Sequence, residues 1–370
     1  MKTLLGQLIA AAPTVENGEL RAAEILKAYF ECHGLTAELD IWDGNRANLL
    51  VHLKADTPTG APLLAASHLD VVPAAAGWTT APFAMAERDG RLYGRGTTDM
   101  LGAVAAIAAA LVETEKEKPP LPRDIVFASA AGEETDSCGA KRLVSQLKER
   151  FGAVSGVLIP EPTDLKVLRA HRGILWLKIA AHGRTAHGSM PHLGINAILK
   201  INTLLNRLRD FTLPQPPHPL LGGCSMSVNR IAGGSGTNIV PEHCAIEIDI
   251  RTLPGQSAEA TTALFETLLA EIAKDDPEYK ADISELRCVP ALETPANEPF
   301  VRAVCQAVGA SQTGSVGFTT DGPYFAPLGP VVIVGPGNPA QCHKPDEYIE
   351  IAALEQAKEM FKKIFQNTED

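Results

Sequence analysis

Apolar runs too short to be helices alternate with longer stripes of helical period through the first part of the chain. ANLLVHL (47–53), PLLAAS (62–67), IVFASA (125–130) and GVLIP (156–160) have the length and composition of strands, and 63–66 reads as a buried one. Between and before them lie helical patterns. Two fall within residues 1–33, the second at 18–32 with apolar Leu20, Ile25, Leu26 and Phe30, and others at 102–115 and 139–150. Strand and helix alternating in this way predict an α/β domain whose mostly parallel sheet is sandwiched by helices.

From residue 174 the order changes. A strand (174–183), a helix (195–211), strands around 224–231 and 244–252, a helix (257–275) and a strand (278–288) spell β-α-β-β-α-β, the ferredoxin-like unit. Helix 298–309, VVIVG (331–335) and helix 350–366 then return to the first layer. The pattern predicts one compact domain, 173–286, inserted into another made of 1–172 and 287–370. A length of 370 residues, beyond the size at which single cores usually stop growing, agrees. The Pro-rich TLPQPPHPLLGG (212–223) is a loop inside the insertion.

Composition narrows the possible functions. Lys plus Arg (33) against Asp plus Glu (44) gives −11 without long acidic blocks, so nucleic acid and anionic membrane surfaces are poor partners. No run of 18 apolar residues is present, and no membrane span is expected. Seven cysteines are scattered singly with no C-x-x-C, which argues for a reducing, cytoplasmic setting and against a disulfide framework or cysteine zinc knuckle. The apolar stretch 4–12 has one early Lys and is interrupted by Gly6-Gln7, so it is not expected to be a signal peptide.

Candidate chemistry collects where the strands end. His68 and Asp70 alternate, so on extended chain they point the same way. That suits a metal-binding imidazole whose other nitrogen is held by a carboxylate; a buried histidine with a structural Asp partner is the plainer account of this stretch alone. Asp99 precedes a helix, Glu133 and Glu134 follow IVFASA, Glu161 follows GVLIP, and His343 lies a short loop beyond VVIVG. In a parallel sheet these ends share one edge, where open α/β sheets place ligands. Singly, Glu133-Glu134 could cap a helix and Glu161 could be a surface turn. Together they form a donor set suited to zinc or a similar divalent ion. One zinc needs only three protein ligands plus water, so the surplus carboxylates fit a two-metal site better. His68 and Glu161 then serve one ion, Glu134 and His343 the other, Asp99 bridges, and Glu133 is left as general base. Gly335-Pro336-Gly337 lacks the third glycine of a dinucleotide fingerprint, and neither a P-loop nor a G-x-S-x-G elbow occurs.

In order and spacing, SHLDVVP, GWTTAPF, LYGRGTTDM, GEETDSCGA, EPTDL, HGSMPHLGINAI and GPGNPAQCHKPDEYIE resemble the dizinc N-acyl-amino-acid hydrolases. That family includes acetylornithine deacetylase, succinyl-diaminopimelate desuccinylase, aminoacylase and glutamate-type carboxypeptidases. The resemblance implies two Zn2+ per subunit, with Co2+ a possible substitute, and an inserted lid domain through which two subunits form a homodimer. It implies the same ligands (His68, Asp99, Glu134, Glu161, His343), Glu133 as base, and Asp70 as the group that orients His68. It further implies that His187 reaches the partner subunit's site and steadies the tetrahedral intermediate, and that Asn238, Arg251 and Thr319 contact substrate. A surface-loop histidine, a turn asparagine and a strand-edge arginine are the plainer accounts of His187, Asn238 and Arg251.

VLRAHRG, EETDSCGA, GPGNPAQCHKPDEY and TTDGPYF (319–325) lean toward acetylornithine deacetylases. Two residues depart: Leu101 stands where relatives usually carry lysine, and Arg95 is shared with the desuccinylases. The expected function is metal-dependent hydrolysis of a small N-acyl-amino acid, an acetylornithine-deacetylase-type step in arginine biosynthesis. The alternatives are desuccinylation, dipeptidase or carboxypeptidase cleavage at the same site, or a non-catalytic zinc-dependent dimer that binds an acyl-amino acid.

Overall fold

The short apolar runs become the middle of a nine-stranded sheet in the computed structural model, which describes residues 1–367. Ile125–Ala130, Leu63–His68, Gly156–Ile159 and Val331–Ile333 lie side by side in that order, all parallel. Every residue in these four strands is buried. Parallel strands need cover on both faces, which is why they read as unbroken apolar runs. Helices Leu20–Cys32, Leu101–Glu117, Pro299–Val308 and Ile351–Gln366 share one apolar core with them. Leu101–Glu117 is buried nearly all round, as its run of alanines allows.

The flanks of the sheet are antiparallel. Arg46–Leu53 pairs with Ile125–Ala130, and Ala37–Trp42 with Arg46–Leu53. At the other side Leu168–His171 pairs with Val331–Ile333. The strand Ala37–Trp42 left no pattern in the sequence because only Ala37 in it is fully buried. Three short strands, Tyr348–Glu350, Arg91–Tyr93 and Ala86–Arg88, make a separate small sheet.

By contact the chain falls into two compact units. One is Met1–Arg169 with Glu293–Ser315 and the chain from Thr320 on; the other is Ala170–Leu292 with Val316–Thr319. The second unit has an antiparallel sheet in the order Ser225–Gly233, His243–Thr252, Gly173–His182, Lys280–Val289. With helices Ala197–Leu208 and Ala258–Asp275 this is the ferredoxin-like arrangement. Alternate residues of Gly173–His182, Leu175, Leu177, Ile179 and Ala181, form a core with both helices. The last strand runs to Val289, past the expected boundary at 286.

Candidate metal centre

Four parallel strands in register open their C-terminal ends on one edge, and the chain places a polar residue at each. His68 is the last residue of its strand, Glu133 and Glu134 lie in the turn after Ile125–Ala130, and Glu161 follows Gly156–Ile159. His343 comes after the short helix Pro339–Gln341, with φ +64°. A left-handed non-glycine residue is uncommon and concentrates at functional sites. Asp99 comes from the loop before Leu101–Glu117.

The five side chains converge. Asp99 turns one oxygen to each imidazole: Oδ1 is 3.5 Å from His68 Nε2 and Oδ2 is 3.2 Å from His343 Nε2. Glu161 Oε1 stands 3.6 Å from His68 Nε2, and Glu134 Oε1 3.0 Å from His343 Nε2. Two cradles result, His68–Asp99–Glu161 and Asp99–Glu134–His343, with donor atoms within 4.8 Å of one another in each. Donors on a tetrahedral ion with bonds of about 2.0–2.1 Å lie roughly 3.3 Å apart, so the spacing fits a small divalent cation. A buried orphan supports the fit: His68 is 2% exposed, and its Nε2 makes no hydrogen bond. Its Nδ1 lies 2.9 Å from the main-chain oxygen of Asp70, which can only accept. In the neutral ring Nδ1 therefore carries the hydrogen and Nε2 turns a lone pair to Asp99 and Glu161.

Proton affinities reflect this crowding. Burial opposes charge on His68, but Asp70, Asp99 and Glu161 raise it well above the ordinary histidine value. The carboxylates of Asp99 and Glu134, accepting from its ring nitrogen, raise His343 to about 10. Burial, reinforced by neighbouring carboxylates, raises Glu133, Glu134 and Glu161. Desolvation pushes half-buried Asp99 up as well, yet the two imidazoles hold it below the usual carboxylate range. Such a cluster holds protons where a cation would sit.

The sequence model of peptidase family M20/M25/M40 matches residues 64–367. The chain belongs to that family. Membership sets the class of activity, metal-dependent peptide and amide hydrolysis. The chain is similar in fold to aminopeptidase PepT from Bacillus cereus (TM-score 0.81, 21% identity, 99% of this chain and 97% of that one). It is also similar to the M20 family metallo-carboxypeptidase Sso-CP2 from Sulfolobus solfataricus (0.80, 17%, 99% and 98%). A third similar structure is the YXEP protein of Bacillus subtilis, described as a dinuclear metal binding peptidase (0.71, 17%, 98% and 96%).

Several residues of this M20 chain that sequence reasoning passed over, or read otherwise, support the centre. Arg95 and Glu347 form an ion pair at 2.6 Å with side chains 1% and 0% exposed. Arg95 also lies 5.3 Å from the Trp78 ring, and Glu347 Oε1 accepts the main-chain N–H of Thr98 and Asp99. Arg95 is thus a buried brace of the Asp99 loop. Leu101 is fully buried in the core at its helix start. Gly335 is required by packing: a Cβ there would meet Pro160 O at 2.2 Å. The Gly-Pro-Gly stretch therefore lets one loop lie against the turn that carries Glu161. Asp321, in TTDGPYF, is buried and adds negative charge to Glu133 and Glu161.

The proposed substrate contacts lie in the second unit. His187 and Asn238 are brought together there: Ala186–His187 pairs with Ile239–Val240, and Gly188 N–H donates to Asn238 O at 2.7 Å. Both side chains are exposed, and His187 Nδ1 meets Ser189 Oγ at 2.8 Å. Arg251 is held elsewhere in that unit, paired with Asp249 at 2.9 Å. Thr319 donates its hydroxyl to Arg172 O at 3.1 Å.

Proposed function

We propose that this M20 protein hydrolyses the amide of a small N-acyl-amino acid in the manner of an acetylornithine deacetylase. The observation that carries the reading is Asp99 facing His68 and His343 with separate oxygens, with Glu133 next to Glu134 in the turn after Ile125–Ala130. His68, Asp99 and Glu161 would hold one Zn2+, and Asp99, Glu134 and His343 the other, with Co2+ able to substitute. Cations held there would supply Lewis acidity, lowering the pKa of a bound water toward neutrality and polarising the scissile carbonyl. Glu133 takes the proton of the attacking water and passes it to the leaving amine. Its raised proton affinity suits a group that must hold that proton between the two steps. His187 and Asn238, neighbours on one ribbon, serve the partner subunit's centre in a homodimer, His187 stabilising the developing oxyanion. Arg251, engaged with Asp249, is a weaker candidate for substrate contact than Asn238.

The motifs leaning to acetylornithine deacetylase support the acetyl group. A peptidase reading of the same site stands second, favoured by the aminopeptidase and carboxypeptidase folds it resembles. Amine release from acetylornithine, succinyl-diaminopimelate and dipeptides, measured side by side with and without chelator, separates the readings. Acetylornithine is expected to be the fastest substrate; faster dipeptide cleavage would install the second reading. Binding without any chelator-sensitive release would leave only a sensor. In the Glu133→Gln variant kcat should fall by about 10²–10⁴ with metal content intact.

A further inference from the structure

Asp70 stands beside His68, yet the shortest bonds of both its carboxylate oxygens go to the main chain of another turn. Oδ1 accepts the main-chain N–H of Glu133 and Oδ2 that of Glu134, both at 3.0 Å. The nearest approach of the carboxylate to His68 Nδ1 is 3.5 Å, whereas the main-chain oxygen of Asp70 is 2.9 Å away. The imidazole is thus oriented by a group that no side-chain substitution at position 70 removes.

The turn itself shows what the carboxylate does. Gly132 adopts φ +79°, and its oxygen accepts the N–H groups of Thr135, Asp136 and Ser137. The N–H groups of Glu133 and Glu134 point the other way, and Asp70 takes both, so each of 133–137 has an acceptor. Asp70 is 3% exposed, and its own backbone is pinned on either side by Leu69 N–H to Ala130 O and Val71 N–H to Pro13 O. A carboxylate accepting two adjacent N–H groups makes two charge-assisted bonds of fixed direction. The same device recurs at Glu347, which takes the N–H groups of Thr98 and Asp99.

We propose that Asp70 is a positioning residue for Glu133 and Glu134, and so for the Asp99–Glu134–His343 cradle, rather than for its sequence neighbour His68. The metal arm of this proposal rests on the two-cradle reading above; the hydrogen-bond arm does not. Asn at position 70 keeps the shape but offers one oxygen and one NH2, so one turn N–H meets a donor instead of an acceptor.

Amide hydrogen exchange on the full-length, metal-free protein reads the hold directly. In the wild type the Glu133 and Glu134 amides should be protected, and His68→Ala should leave that protection unchanged. Asp70→Asn should speed their exchange by about ten- to a hundredfold, as expected for loss of a hydrogen bond to a charged group. Fast exchange at both amides in the wild type, or loss of protection in His68→Ala, overturns the proposal without any variant at position 70.

Zn2+ binding, followed by competition with a chromophoric chelator, reads the consequence. Adding Asp70→Asn to His68→Ala should weaken binding at the remaining cradle by about tenfold or more, whereas adding it to His343→Ala should change binding little. The opposite pattern would return Asp70 to His68. Should neither single-histidine variant bind Zn2+ at all, the two-cradle reading fails, while the exchange result still decides what Asp70 holds.

Discussion

The two cradles share Asp99 and differ in almost everything else. His68 and Glu161 have side chains only 2% and 6% exposed, and each closes the end of a parallel strand. His343 is 53% exposed and sits in a left-handed turn, and Glu134 hangs from a loop held by another residue's carboxylate. One half of the centre is thus built by the sheet, the other by loops that the sheet's neighbours hold in place. A cation held by the first half would be shielded from solvent, and one held by the second would stay within reach of water. Such a pairing would suit metal-assisted hydrolysis, with one position sheltered and the other open to a scissile group.

Removing each histidine should break this symmetry most visibly. His68→Ala strips the buried cradle and leaves Asp99 and Glu161 facing a hole, so kcat/KM should fall on the order of a thousandfold or more. His343→Ala should keep one bound ion and lose less activity. Bound metal per chain and kcat/KM, measured together, check this; equal losses in both variants would mean the halves are not distinct. Next comes the brace they share. Arg95→Met leaves the buried Glu347 carboxylate unpaired, at a cost of about 3–5 kcal/mol in stability, and should weaken both cradles through Asp99 while leaving substrate preference unchanged. Thermal denaturation and the acyl panel test it. A changed acetyl-to-succinyl ratio without loss of stability would show that Arg95 reads the acyl group after all. A smaller effect concerns exchange: chelation should be biphasic, with the open-cradle ion leaving on the order of tenfold faster. His343→Ala should remove the fast phase, and a single phase in the wild type would erase the distinction.

The sheet-built half was the more legible in sequence. IVFASA, GVLI and LLAASH are apolar on both faces, so their ends, and the polar residues there, could be located without knowing the fold. The devices that hold the loops were not legible. Asp70 and Glu347 bind main-chain N–H groups, which every sequence has, so no partner residue marks them. The strands Ala86–Arg88, Arg91–Tyr93 and Tyr348–Glu350 are three residues each with mixed polarity, too short for a period to show. Yet they tie the Asp99 loop to the segment carrying His343. Arg95 was visible only as a motif residue; its buried partner Glu347 lies 252 positions away, so nothing in the sequence joined the two.

The subtlest expected effect is the pH dependence of stability, which reverses sign with metal. In the metal-free protein His68, His343, Glu133, Glu134 and Glu161 all bind protons more tightly than in the unfolded chain. Groups raised in this way contribute stability that is complete below their unfolded values, 4.5 for Glu and 6.5 for His, and is lost as pH climbs toward their folded ones, about 10 for His343. Asp99, held low, works in the opposite direction, but its share is lost only as pH falls below its ordinary 3.8. The surface carboxylates held low by Arg142 and Lys358, Asp40 and Glu113, have also finished titrating by about pH 5. His171, pushed down to about 4 by burial, opposes this up to its ordinary 6.5. Against the five raised groups the folded metal-free chain still carries more protons than the unfolded one between about pH 5 and 9, and its Tm should fall as pH rises. With Zn2+ bound the same ligands are already deprotonated, so the gain in Tm on loading should widen over that range and loading should release protons. Scanning calorimetry with and without chelator measures both slopes. A metal-free Tm that climbs steadily from pH 5 to 9 would mean that the five side chains do not hold protons in the place of cations.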